Sequence, residues 1–291
     1  AAVHSHTLFH CGIANLAALL AGVKIRIAHA HTTLDDNKRF IRKAYIYVMR
    51  HIIHGVSTNL LACSKEAGKY LYGEKGLRKK KYCYFPNIVD YSPFIVDLHN
   101  DVQKFKKEEG LTDKFVIGHI GRFIEAKNHH FLLQVLKHML TNNSNVCLVL
   151  VGDGDLRKKI EEEAKKQRVY ENIRFVGIRE DIPVLLQSMD AFIFPSLYEG
   201  LGLVLLEAQA SGVPCFVSEA IQPEADLRLG LFNKLTLNDG PKVWAELILK
   251  HTKQKEKNKE KIVQSFIANG YKMESGIEKL MNLYKMEGGS N

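Results

Sequence analysis

Short apolar runs bounded by Gly, Asn or Asp recur from Phe115 onward, at Phe115–Ile120, Val146–Val151, Ile173–Val176, Ala191–Phe194 and Pro214–Val217. Runs of this length predict strands buried on both faces. Between them lie helical patterns. Asn128–Leu140 places Phe131, Leu132, Val135, Leu136, Met139 and Leu140 on one face, Arg157–Arg168 is charged enough for an outer helix, and Leu203–Ala210 is almost wholly apolar and predicts a buried one. Strand and helix alternating in this way predict a parallel, doubly wound sheet. The N-terminal third is a weaker copy, with strand candidates at Ile25–Ala30, Gly55–Ala62 and Lys81–Phe85. It opens at Ala1-Ala2-Val3-His4 without a Met, inside a strand–turn pattern, which reads as a domain lacking earlier strands. Tyr91–Asp113 is polar and poorly periodic and reads as a connection with a short helix. Gln254–Lys261 is a charge run, read as a solvated helix face, and Tyr271–Met286 repeats Met273, Ile277, Leu280, Met281 and Tyr284 at helical spacing. The expected organisation is therefore an N-terminal α/β domain over 1–95, a C-terminal α/β domain over 96–270, and a helix over 271–291 docking back on the first.

Composition narrows the classes. The 291 residues suffice for about two domains, and the 46% hydrophobic and 25% charged fractions fit a globular chain. No apolar run reaches the ~18–20 residues of a membrane span, and no start resembles a signal peptide. The five cysteines form no C-x-x-C pair, which predicts buried thiols, a reducing compartment and a cytoplasmic protein. A net charge of +9 asks for an anionic partner: nucleic acid, an anionic membrane or a phosphorylated substrate. Zinc-finger, helix-turn-helix and ribonucleoprotein patterns are all missing, so nucleic acid is not expected.

Candidate chemistry gathers after the predicted strands, where open parallel sheets bind ligands. Gly121-Arg122-Phe123 and Lys127 follow the first strand of the C-terminal domain, Gly152-Asp153-Gly154-Asp155 the second, Gly177 the third, and Tyr198-Glu199-Gly200-Leu201-Gly202-Leu203 the fourth. Glu199 and Glu207 stand at either end of the turn and helix this last segment opens. N–H groups at such a helix start bind phosphate, and the carboxylates accept hydrogen bonds from hydroxyls. Taken singly, each feature is equally a loop charge, a plain turn or a solvated helix face. Their placement on one sheet edge favours a sugar-nucleotide site.

Together, Gly121-Arg122…Lys127, Gly152-Asp153-Gly154, Phe175-Val176-Gly177 and Glu199-Gly200-Leu201-Gly202-Leu203…Glu207-Ala208…Gly212-Val213-Pro214 resemble the donor domain of GT-B glycosyltransferases of family 4, of the bacterial capsular or exopolysaccharide type. The resemblance implies two Rossmann-like, doubly wound α/β domains facing a cleft, the N-terminal one here incomplete because its glycine-rich loop is absent. It implies a retaining transferase with no cofactor and no metal, moving a sugar from a nucleotide-sugar donor to a glycan or lipid-linked acceptor in surface polysaccharide biosynthesis. Arg122 and Lys127 would clamp the diphosphate beside Gly121. Glu207 would hold the ribose and the Val176 and Gly177 backbone the base. Glu199 and the N–H groups of Gly202 and Leu203 would hold sugar and phosphate, and His31 would approach the sugar as a catalytic residue with Glu199. Leu201 stands where an aromatic is commoner, and Glu219-Ala220-Ile221-Gln222-Pro223-Glu224 replaces a glycine-rich turn. A sugar-nucleotide epimerase and a non-catalytic nucleotide-sugar-binding scaffold remain the alternatives.

Two further patterns bear on partners. Val3-His4-Ser5-His6 and Ala28-His29-Ala30-His31-Thr32-Thr33 match strand-end segments of that family. H-x-H spacing also suits a metal, but no third ligand is evident from sequence, so packed or hydrogen-bonded histidines are expected for His4, His6 and His29. A helix over Lys38–His54 groups Lys38, Arg39, Arg42, Lys43 and Arg50 on one face, with Phe40, Ile41, Ala44, Tyr45, Val48 and Ile52 opposite. Ile46 and Ile53 fall among the cations, a mixture suited to the anionic inner leaflet of a membrane, with Lys79-Lys80-Lys81 as a further contribution. The alternative is a helix packed on its own domain with a solvated basic face.

Overall fold

A computed structural model describes residues 1–32, 40–251, 255–256, 258 and onward to 285. The chain divides into two compact units, the first holding 1–89, 199–201 and 270–291, the second 90–198 and 202–269.

The first unit alternates β1 (Ala2–Ser5), α1 (Cys11–Leu20), β2 (Ile25–Ala30), α2 (Phe40–Val56), β3 (Asn59–Ala62), α3 (Lys65–Tyr72), α4 (Glu74–Leu77) and β4 (Tyr82–Tyr84). Its four strands are parallel and lie in the order β1-β2-β3-β4. Ser64 starts α3 by accepting the N–H of Ala67 at 3.1 Å. The strand expected from Gly55 begins only at Asn59. The helical spacing of Met49, Ile53 and Val56, all buried, carries α2 through Val56 before Ser57 and Thr58 turn the chain.

That register overturns the expected faces of α2. Ile53 is fully buried, so its place among the cations marks the core side rather than a lipid-facing mixture. Arg42 lies over the rings of Phe9 and Tyr45 at 5.7 and 5.1 Å, and Arg50 donates to the Tyr70 carbonyl at 2.5 Å. The outward side carries Ile41, Lys43, Ala44, Tyr47 and Val48. Lys38 and Arg39 lie outside the described residues, as does Thr33. Lys81 is likewise inward, its ammonium donating to the carbonyls of His54 and Ser57, both at 2.6 Å.

The second unit runs α5 (His99–Glu108), β5 (Phe115–Ile120), α6 (His129–Asn142), β6 (Val146–Val151), α7 (Arg157–Lys166), β7 (Ile173–Gly177), α8 (Ile182–Ser188), β8 (Ala191–Phe194), α9 (Leu203–Ala210), β9 (Cys215–Ser218), β10 (Phe232–Leu235), α10 (Gly240–His251) and α11 (Lys259–Ala268). All six strands are parallel, in the order β10-β9-β8-β5-β6-β7. The chain winds outward from β5 to β7, returns to β8 beside β5, and winds out the other way. The strand order therefore reverses between β5 and β8, the point at which doubly wound sheets bind ligands. β6 is buried at every position, as a central parallel strand requires. Its core continues through Phe131, Leu132, Leu136 and Met139 of α6 to Trp244 of α10. Trp244 meets Phe131 edge-on at 5.1 Å and donates its indole N–H to the Thr236 carbonyl at 2.9 Å. Sequence periodicity missed β10 and α10, and the charge run before α11 lies partly outside the described residues.

The last helix, α12 (Met273–Lys285), belongs to the first unit. Leu283 packs with Ile27, Leu61 and Phe85, and Leu280 and Tyr284 flank that cluster.

Candidate active site

The loops after β5 and β6 are tied to each other by backbone hydrogen bonds. Gly121 donates to Val151 O at 3.0 Å, Phe123 to Asp153 O at 3.0 Å, and Leu156 to Phe123 O at 3.0 Å. Gly152 donates to Gly177 O at 2.7 Å, tying in the end of β7. The residue at 152 has φ +125°, and a Cβ there would lie 2.2 Å from the Gly121 carbonyl oxygen. Only glycine permits both the conformation and the approach. Across the reversal point, Leu197 donates to Ala126 O at 2.8 Å and Asn128 Nδ2 to Pro195 O at 3.2 Å.

Arg122 projects from this braced turn into solvent, and among the described residues its guanidinium has no hydrogen-bond or ionic partner. Lys127 sits with its ammonium 4.5 Å from the centre of the Phe194 ring, at the end of β8. Beneath them, His129 stacks on Phe123 at 4.1 Å and meets His119 edge-on at 5.0 Å. Burial, reinforced by Lys127, pushes the His129 imidazole down to about 4. Burial, then His129, pushes His119 well below the ordinary range, opposed by a hydrogen bond to the Ile193 carbonyl. Both rings are neutral, so Arg122 and Lys127 carry the local positive charge. Sequence analysis missed these two core histidines, which fall in ordinary apolar patterns.

Gly202 takes a left-handed conformation (φ 74°) immediately before Leu203, the first residue of α9. Leu205 N–H closes on the Gly202 carbonyl at 2.8 Å, and the Gly202 and Leu203 N–H groups ahead of it stand at the helix start, an edge suited to anions. Glu207, one turn on from Leu203, is half-buried. Burial raises its carboxyl above the ordinary range, and among the described residues the side chain has no hydrogen-bond partner. Gln209 does the structural work of this helix, donating to Leu205 O and Ala225 O and accepting from Leu227 N. At the end of β7, Val176 and Gly177 offer backbone groups, and Arg157 of α7 comes near: a Cβ on Gly177 would lie 3.8 Å from its guanidinium. Arg157 also lies over Phe175 at 5.9 Å and bonds Glu161 at 2.9 Å. In sequence it is one cation of a charged outer helix, with nothing to mark it.

Of the expected residues, Gly121, Arg122, Lys127, Val176, Gly177, Gly202, Leu203 and Glu207 thus gather at the strand ends of the second unit. His31 and Glu199 fall in the first. There Gly200 presses so closely on His31 that a Cβ would stand 2.0 Å from the His31 carbonyl oxygen, which brings the Glu199 segment to the histidine strand end. Glu199 Oε1 accepts the Gly200 N–H at 3.4 Å.

His31 is one of four adjacent imidazoles. His4 Nε2 and His29 Nδ1 are 3.2 Å apart, His6 Nδ1 and His31 Nε2 2.7 Å, and His4 Nδ1 and the Tyr284 hydroxyl 2.8 Å. Burial, then the neighbouring imidazoles, lowers His4 to about 4 and His29 to about 2. Burial, then His6, also lowers His31, opposed by the Asn87 side chain. The third histidine that sequence left unidentified comes from strand pairing. His4 lies opposite Ile27 and Ser5 opposite Ala28, so alternation brings both H-x-H pairs to one face.

The family description "Glycosyl transferases group 1" matches residues 101–273. EpsF of Bacillus subtilis (strain 168), named as a glycosyltransferase, is 37% identical over 287 residues, which are 98% of this chain and 74% of EpsF. The chain belongs to the group 1 glycosyltransferases. CapH of Staphylococcus aureus, named as a capsular polysaccharide biosynthesis glycosyltransferase, is 32% identical over 87% of this chain and 69% of its own length. An Escherichia coli UDP-Gal:alpha-D-GlcNAc-diphosphoundecaprenol alpha-1,3-galactosyltransferase is 26% identical over 97% of this chain and 74% of its own. Among solved structures, Anabaena HepE, in complex with UDP and glucose, superposes with a TM-score of 0.78 at 19% identity, covering 94% of this chain and 75% of HepE. The fold is that of the GT-B glycosyltransferases.

Proposed function

We propose that this family member is a retaining, metal-independent transferase of family 4, moving a sugar from a nucleoside diphosphate sugar to a glycan or lipid-linked glycan in surface polysaccharide biosynthesis. The observation carrying this reading is the rigid, backbone-braced turn that presents Arg122, with Lys127 and the N-terminus of α9, at the strand-order reversal. Arg122, Lys127 and the Gly202 and Leu203 N–H groups neutralise the charge that grows on the diphosphate as the glycosidic bond breaks. Glu207 accepts hydrogen bonds from the ribose hydroxyls, and the Val176 and Gly177 backbone meets the base. Glu199 accepts from a sugar hydroxyl, and His31 approaches the sugar beside it. Two cations on the diphosphate serve in place of Mg²⁺. A uridine nucleotide is the first to test, since HepE holds UDP, and the name of the Escherichia coli relative supports trying a polyprenyl-linked acceptor.

Such an acceptor places the enzyme at a membrane. Among the described residues no helix is long and apolar enough to cross one. We propose instead peripheral attachment at the cytoplasmic face of the anionic inner leaflet. The surface is amended from sequence: Ile41, Tyr47 and Val48 of α2, with Lys43 among them, and Ile13, Leu16, Leu19 and Leu20 of the packed neighbour α1.

The test is release of nucleoside diphosphate from a panel of sugar nucleotides, with and without chelator. The expected outcome is turnover of one donor that survives chelator and falls in Glu199→Ala. In Arg122→Ala, loss of a charged contact of roughly 1.5–3 kcal/mol weakens nucleoside diphosphate binding at least about tenfold. Abolition by chelator with rescue by Mg²⁺ or Mn²⁺ refutes metal independence. Tight donor binding without turnover on any acceptor makes the chain a scaffold.

A further inference from the structure

The histidine cluster of the first unit has more ligand chemistry than a single sugar-facing imidazole needs. One ring nitrogen from each of His4, His6 and His29 lies within 4.8 Å of the other two. The set spans β1, its end and β2, so the parallel pairing of two strands holds it. His29 is 4% exposed, while His6 faces solvent and opens an entry path. The rings are close-stacked, His4 on His6 at 4.2 Å and His29 beside His31 at 4.0 Å between centroids. Among the described residues no carboxylate joins the group.

We propose that His4, His6 and His29 form a binding site for a borderline transition-metal dication of the Zn²⁺ class. An all-imidazole donor set favours Zn²⁺, Co²⁺, Ni²⁺ or Cu²⁺ and disfavours Mg²⁺ and Ca²⁺, which take oxygen ligands. With Zn–N near 2.0–2.1 Å, tetrahedral ligands stand about 3.3–3.4 Å apart. The His4 Nε2–His29 Nδ1 separation of 3.2 Å already matches, and one ring nitrogen of His6 lies within 4.8 Å of a nitrogen of each. Neutral imidazoles keep a lone pair available for the ion. His4 binds through Nε2 with its proton on Nδ1, donated to the Tyr284 hydroxyl 2.8 Å away. That contact is the outer partner that fixes the ring and tautomer of a metal-bound histidine. The fourth coordination position is open, with His31 adjacent through His6. The ion would sit beside His31, a different place from the diphosphate, whose charge Arg122 and Lys127 offset.

The untagged chain, stripped of metal, is titrated with Co²⁺, then with Zn²⁺ as competitor. The readouts are equilibrium dialysis for stoichiometry and the visible d–d absorption of four-coordinate cobalt. Neither uses a donor or an activity, so the result is independent of the proposed reaction. Saturable binding of one ion with a four-coordinate spectrum, displaced by Zn²⁺, is expected. His4→Gln and His29→Gln should each weaken it at least tenfold. Tyr284→Phe, which keeps the ring in the core, should weaken it several-fold, and so tests the site even if a histidine variant fails to fold. His51→Ala and His130→Ala, on other surfaces, should leave it unchanged. Absence of saturable binding in the parent chain, or equal affinity in the parent, both glutamine variants and Tyr284→Phe, overturns the proposal.

Discussion

Glu207 shows how one residue is placed against its own stability. Its carboxyl is half-buried without a hydrogen-bond partner among the described residues, and burial raises its pKa. A folded-state pKa above the unfolded value means the folded chain holds its proton longer as pH rises. Stability therefore falls above the unfolded value near 4.5 and stays lowered once the carboxylate has formed. Glu207→Gln should unfold at higher denaturant than the parent at pH 7, and the difference should vanish below about pH 4. Glu207→Ala should lose nucleoside diphosphate affinity at least about tenfold by calorimetry. A Gln variant less stable than the parent at pH 7, with unchanged nucleotide affinity in the Ala variant, would show a structural glutamate instead. This residue was legible in sequence because a glycine turn opens directly into its helix. Arg157 was not: one cation among several on a polar helix is distinguished only by the strand end it reaches in space, at Gly177.

At the scale of elements, buried strands and apolar helices were the readable part, since a central parallel strand such as Val146–Val151 is buried on both faces and reads as a near-continuous apolar run. Half-exposed elements were not. β10, Phe232-Asn233-Lys234-Leu235, puts two polar residues side by side between two apolar ones and so lacks the alternation of a strand, and α2 carries apolar residues on more than one side. The face of α2 was misread because two apolar stripes compete, and only packing against α1 decides between them. Gly12 settles it: a Cβ there would lie 2.8 Å from Met49 and 3.3 Å from Ile53, so the helices close along that line. Ile41 and Val48 are left outward, 81% and 52% exposed. Apolar side chains inserted beside Lys43 should give vesicle binding that needs anionic lipid and weakens with salt, each cation contributing ~1 kcal/mol. In liposome sedimentation, Ile41→Asp/Val48→Asp should abolish recovery and Lys43→Glu should reduce it. Equal recovery with neutral and anionic vesicles would remove the membrane from the account.

Across the whole molecule, buried neutral histidine is a recurring device that composition does not reveal. His129 and His119 lie beneath the cationic turn of the second unit, with His129 lowered to about 4 by burial and Lys127. The unfolded chain takes up a proton at each imidazole near pH 6.5, whereas the folded chain refuses it until far lower. A histidine depressed in this way leaves stability unaffected above pH 6.5. Below that value the unfolded state gains protons first, and stability falls continuously towards pH 4. For His129 the loss reaches roughly 3 kcal/mol at the acid end of that window. The chain should therefore denature in weak acid while its surface carboxylates are still largely ionised. His129→Phe keeps a ring against Phe123, where the histidine stacks at 4.1 Å, and removes the titrating group. Urea titrations at pH 7, 6, 5 and 4.5 should show a shallower decline in the phenylalanine variant, the two proteins diverging only below pH 6.5. Parallel curves across the whole range would mean that His129 is not neutral in the folded state and that the charge beneath Arg122 has been misjudged.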